Sequence, residues 1–167
     1  LIKRIGNEKQ KPCWDHYWRR AIGWFNEEEI LVDGFSDGDA GGGDRWDSSK
    51  EKVNYTTGKN TQLYTYIHLS CKSDVDNSKI PLTELRSFNK IFIYWEEKIY
   101  ESKVPIFNSS IRYDREADAY DCKLNFKKMK PINSESVIIY KEAKNQISYD
   151  IHGTFRYYYN GKEISEN

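Results

Sequence analysis

Three observations predict an all-β, mainly antiparallel fold, a single-domain β-sandwich or small barrel. Apolar and polar residues alternate with a period of two in several segments, turn-forming residues recur at roughly eight- to twelve-residue intervals, and no alternation of strands with long helical stripes occurs. At 167 residues the chain is long enough for one core. Its aromatic content of 15%, with five Trp, thirteen Tyr and seven Phe, suits cross-strand pairs on a pleated surface.

Residues 1–12 lack an apolar pattern and are expected to form a flexible tail. The next segment, Trp14 to Phe25, fits either a strand or a helical stripe. Gly23 and the density of aromatic residues favour a strand. Leu63, Thr65, Ile67 and Leu69 alternate with Tyr64, Tyr66, His68 and Ser70, which gives a strand with one buried face. The segment Pro81-Leu82-Thr83-Glu84-Leu85-Arg86-Ser87-Phe88 is the one helical expectation, a short helix near 81–88. Its proline falls in the first turn, and Leu82, Leu85 and Phe88 fall on one side.

Runs at Ile91–Trp95, Ile99–Tyr100, Val104–Phe107, Ile111–Tyr113, Tyr120–Phe126 and Val137–Tyr140 add further short strands. The alternation from Ile147 to Tyr159 predicts one long strand with a bend or bulge at Gly153. Asn160-Gly161 then marks a hairpin turn into a short return strand.

Twenty-six basic residues balance twenty-six acidic ones, so no global field favours a polyanion and nucleic acid is a poor partner. The longest apolar runs are far shorter than the roughly 20 residues of a membrane span. The opening segment has no apolar targeting core. That fits a mature exported form, periplasmic or secreted, and fits a cytosolic domain equally. Cys71 and Cys122 each lie in a strand-like segment and are candidates for a disulfide, with a pair of buried thiols as the alternative.

The specialised stretch runs from Asp33 to Asp47, where five of the ten glycines and five aspartates crowd together. Glycine reaches positive φ cheaply, and closely spaced carboxylates need a compensating cation, an Arg or backbone N–H groups. The stretch therefore reads as a loop with something to accommodate. Asp33, Asp37, Asp39 and Asp44 are the weak candidates for a Ca²⁺ ion, but their spacing fails the EF-hand pattern, and the Gly-Lys-Ser/Thr of a phosphate loop is absent.

His16, His68 and His152 have no zinc-ligand spacing, and no nucleophile elbow accompanies them. The Glu27-Glu28-Glu29 and Glu96-Glu97 acids read as solvated turns rather than a glycosidase pair. No catalytic residue or cofactor is expected. Binding is the reading that remains, with Asp37, Asp39, Asp44 and Trp46 as the contact set and Trp18 and Trp24 as further aromatic anchors.

In general character such a chain resembles an exported bacterial inhibitor or immunity protein, although no motif carries the resemblance. A protein partner is favoured over a carbohydrate. The rival expectation is a carbohydrate-binding module with a Trp stacking platform and a structural Ca²⁺. A third is an enzyme whose site is assembled from distant residues.

Overall fold

A computed structural model of the chain describes residues 16–37, 45–76, 78–107 and 111–164. They form antiparallel β-structure almost throughout, in two sheets that do not close into a barrel. The larger sheet has the order β1 (His16–Trp24), β2 (Glu29–Asp37), β3 (Arg45–Asn54), β4 (Asn60–Lys72), β5 (Lys79–Ser87), β6 (Lys90–Trp95), β7 (Lys98–Ser102) and β10 (Met129–Pro131). A side hairpin of β8 (Arg112–Asp114) and β9 (Ala119–Asp121) joins it at β4 through one parallel bridge, Cys71 to Tyr120. The smaller sheet is a meander of β11 (Ser136–Glu142), β12 (Asn145–Asp150), β13 (Phe155–Tyr159) and β14 (Lys162–Ile164). The expected tail at residues 1–12 lies outside the described residues.

The two sheets pack face to face because each turns an apolar side inward. Leu31, Tyr64, Leu85, Phe92 and Ile99 of the larger sheet meet Val137, Ile139, Ile147, Tyr149 and Tyr157 of the smaller one, and Phe25 from the turn after β1 joins them. Tyr64 stacks on Phe155 at 5.0 Å between ring centroids, and Tyr94 meets Tyr149 edge-on at 5.8 Å. Each such pair adds about 1 kcal/mol beyond simple burial. The buried Tyr64 and Tyr157 hydroxyls bond one another at 3.1 Å across the sandwich, so neither phenol loses its partner on leaving water.

Opposite Lys50 and Glu51 the register steps from Tyr64 to Gln62, which leaves Leu63 as an extra residue in β4. This bulge lets the adjacent Leu63 and Tyr64 join the same cluster, which strict alternation forbids.

The far side of the larger sheet is covered as well. Leu69, Cys71, Leu82, Ile93 and Met129 form a second cluster, closed by Ile106, Phe107, Tyr120, Cys122 and Leu124 from the segment between β7 and β10. Of the two alternatives for Cys71 and Cys122, a disulfide or buried thiols, the disulfide is present: their Cα atoms are 5.6 Å apart, and the bond fastens this cover to β4. Glu84, fully buried on β5, holds the cover from beneath. Its Oε2 accepts the N–H groups of Ile106 (2.5 Å) and Phe107 (3.1 Å), while Oε1 meets the Arg86 guanidinium, which in turn donates to the Phe107 carbonyl at 3.0 Å.

Double covering explains why the expected helix at 81–88 is instead strand β5. Leu82 packs in the outer cluster and Leu85 between the sheets, on opposite faces of one strand, and residues 82–85 are buried in succession. A strand buried on both sides loses its alternation, and its apolar spacing then imitates a helix. Pro81 is tolerated because it pairs only with Ser70, before β6 begins pairing at Leu82.

The single long strand expected from Ile147 to Tyr159 is two strands, β12 and β13, joined by a turn. Asp150 Oδ1 accepts the N–H groups of His152 and Thr154, each at 3.0 Å, and Gly153 takes φ +77°. Tyr120–Phe126 is strand only as far as Asp121. The chain then runs without regular structure into a 3-10 turn at Phe126–Lys128. Val104–Phe107 is part of the cover, not a strand.

Candidate functional site

The Asp/Gly stretch is less of a loop than its composition suggests. Its two flanks are strand, paired without interruption from Glu29 opposite Asn54 to Ser36 opposite Asp47, and residues 38–44 connect them. That connection, with Asp39 and Asp44, lies outside the described residues. By backbone register Trp18 pairs with Phe35, Asp37 with His16 and Trp46 with His68. Trp18, Asp37 and Trp46 thus fall at the same end of three neighbouring strands. The side chains of residues 16–19, 35–37 and 45–47 are outside the described set.

Trp24 is not part of this group. It ends β1, six residues beyond Trp18 and so roughly 20 Å along the strand. It is 51% exposed and meets Tyr55 edge-on at 5.6 Å. This pair of exposed rings, one at the end of β1 and one in the turn after β3, is a feature that sequence periodicity does not reveal.

Asp33 lies midway along β2. Arg20, Asp33, Lys50 and Tyr64 occupy one row across β1 to β4 by their pairing. Lys50 Nζ sits 2.5 Å from Asp33 Oδ1, Ser48 donates to the same oxygen at 3.3 Å, and Arg20 reaches Oδ2 at 3.5 Å. The lysine side chain is 4% exposed, with the Tyr66 and Phe155 rings each 5.9 Å from its ammonium. Desolvation of the ammonium is offset by the carboxylate and the ring faces. The Asp33 carboxylate is therefore engaged by cationic side chains in a structural pair.

A second lysine repeats the arrangement between the sheets. Lys52 bonds Glu142 of β11 at 2.9 Å and Glu29 at 3.0 Å, with Phe25 and Tyr140 around it. Burial alone would lower its pKa, but the hydrogen bonds to Glu142 and Glu29 outweigh burial and raise it above the ordinary lysine value. The bond from Lys52, followed by that from Tyr140, lowers the Glu142 carboxyl. Burial raises the Tyr64 phenol well above its usual value, helped by the neighbouring Tyr157.

The titratable groups singled out in the sequence are separated among the described residues. His68 bonds Thr83 Oγ1 at 2.8 Å within the larger sheet, whereas His152 is exposed in the β12–β13 turn. Glu96 and Glu97 form the β6–β7 turn at φ 47° and 57°, both exposed, and Glu29 is taken by Lys52. Among the described residues no group of three or more His, Cys, Asp and Glu is placed to hold a metal. No helix among them is long and apolar enough to cross a membrane. Comparison with models of protein families, with curated proteins and with solved structures finds no match for this chain.

Proposed function

We propose that the chain is a non-enzymatic binding protein of inhibitor or immunity type, which engages a protein partner through the acidic end of the β2–β3 hairpin. The unbroken register of that hairpin supports this reading, because it carries β2 as far as Asp37, its last described residue, with Ser36 opposite Asp47 near the start of β3. Midway along β2 Asp33 is already paired with Lys50, so in this reading the acids that lie beyond it supply the field. Carboxylates at Asp37, Asp39 and Asp44 would steer toward a basic patch, with Trp46 as the buried anchor of the contact. The Cys71–Cys122 bond supports an exported chain, since such bonds persist in oxidising compartments.

A pull-down from the source organism with the wild-type chain and with Asp37, Asp39 and Asp44 changed to Ala tests the reading. A specific protein should be captured by the first and lost by the second; identical captures would remove the hairpin end from consideration. The exposed Trp24 favours one alternative, a carbohydrate-binding module in which that ring stacks on sugar. In that case Trp24→Ala abolishes oligosaccharide binding, and millimolar Ca²⁺ raises the melting temperature through the aspartates.

A further inference from the structure

A neutral chain assembles a local positive surface at the opposite edge of the larger sheet. Lys103, Lys127, Lys128 and Lys130 line one cleft of about 740 Å³ at the β7–β10 edge, together with Asn89 and Ile91 from the neighbouring β5–β6 hairpin. All four lysines are exposed, and none forms an ion pair among the described residues. Glu101 is the single acid in the cleft. Lys128 and Met129 also line an adjoining cleft of about 550 Å³, which adds Arg112 and Lys123 against Asp121. Phe126, 51% exposed, immediately precedes Lys127 and rests edge-on against Tyr100 at 5.8 Å.

Edge strands often carry lysine to discourage pairing with other sheets, and Lys130 suits that role on β10. It does not account for Lys103 or Lys127, which lie off the strand and yet face the same cleft. Convergence of unpaired ammonium groups costs repulsion, which a bound polyanion relieves with release of its counterions.

We propose that this cleft binds a linear sulfated polysaccharide. Its cations are lysines, compact point charges that suit sulfate groups spaced along a chain, with no arginine fork of the kind that reads phosphate or base edges. A concave cleft fits a chain better than a flat lipid surface, and the exposed Phe126 ring offers a face for a sugar ring. The disulfide agrees with a compartment in which such glycans are met.

The test uses heparin as the probe, at about 150 mM salt, where weak surface attraction is screened. Lys127→Gln/Lys128→Gln/Lys130→Gln is compared with Lys59→Gln/Lys141→Gln/Lys162→Gln, which removes the same charge from exposed positions elsewhere. Equal thermal unfolding midpoints for both variants and the wild type establish that the fold is kept. The wild type should bind heparin, the cleft variant should lose roughly tenfold or more, and the control less than about twofold. The salt dependence of the cleft variant should fall by about two counterions. Absence of wild-type binding, equal losses in both variants, or tighter binding to a single-stranded oligonucleotide or to phosphatidylserine vesicles would each overturn the proposal.

Discussion

Asp33 and Lys50 stand directly opposite one another in the β2–β3 ladder, 2.5 Å apart at Oδ1 and Nζ, and the lysine side chain is almost wholly withdrawn from water. The two partners are not equivalent. Asp33 keeps Arg20 and some solvent, whereas among the described residues the ammonium of Lys50 meets this carboxylate and two ring faces.

Removal of the acid should therefore cost more than removal of the base. Asp33→Ala strands a buried cation and is expected to lose about 3–5 kcal/mol, while Lys50→Met, which fills the same space with an apolar chain, should lose less. Urea denaturation of the two variants measures the difference. A greater loss for Lys50→Met would contradict this account of the pair.

The inter-sheet clamp predicts a specific pH response. The Glu142 carboxyl is lowered in the folded state, so its contribution is present above the unfolded carboxylate value and is lost as pH falls through the folded one. Lys52 and Tyr64 are both raised, so their contributions are complete below about pH 10 and decline as pH rises beyond it. Glu142→Gln should flatten the acid limb of the stability curve below about pH 4.5 and, because the bond to Glu142 helps raise Lys52, should also weaken the Lys52 part of the alkaline limb while leaving the Tyr64 part. Tyr64→Phe should flatten part of the alkaline limb. Melting temperatures recorded across the pH range would show whether the limbs separate in this way.

Reduction of the Cys71–Cys122 bond should act on the outer cover before the sandwich. The bond closes a separation of 51 residues, for which loop-closure entropy gives about 4 kcal/mol. With reductant, or in Cys71→Ser/Cys122→Ser, amide hydrogens of residues 103–128 should exchange faster while those of β11–β13 keep more of their protection. Uniform acceleration over both sheets would mean that the cover and the sandwich unfold as one unit.

Glu84 anchors the same cover without a covalent bond. Glu84→Ala leaves two backbone N–H groups without their acceptor and takes the carboxylate from the Arg86 guanidinium, which keeps the Phe107 carbonyl, and is expected to cost more than about 3 kcal/mol. Glu84→Gln retains one acceptor oxygen and should lie between this variant and the wild type. Equal stability of Glu84→Ala and the wild type in urea would show that the cover holds without the carboxylate.

Much of the strand pattern was legible from residue alternation, and the disulfide from two cysteines in strand-like segments. Legibility failed where one regularity concealed another. At β5 burial on both faces removed the alternation and left Leu82 and Leu85 spaced as in a helix. From Ile147 to Tyr159 the alternation continued across a turn, although Asp150 followed by Gly153 was a turn signal in plain view. In the Asp/Gly stretch composition suggested a long loop, while the ladder carries the chain to Asp37 and resumes at Arg45. Of the aromatic anchors, Trp18 and Trp46 fall at one end and Trp24 at the other, because neighbours in sequence separate along an extended strand. The lysine cleft escaped notice because its members come from separate segments, and an even total of charges hides any local surplus.

Covering both faces of the larger sheet leaves its margins as the places where charge can gather. The lysines of the cleft gather at the β10 margin, roughly 25 Å across the intervening strands from β3, the strand that follows the aspartate-rich stretch of the sequence. The proposed acidic contact and the proposed basic cleft would together give a molecule of no net charge an electric dipole. It should drift little in an electric field near neutral pH, yet adsorb weakly to both anion and cation exchangers, each gripping the opposite margin.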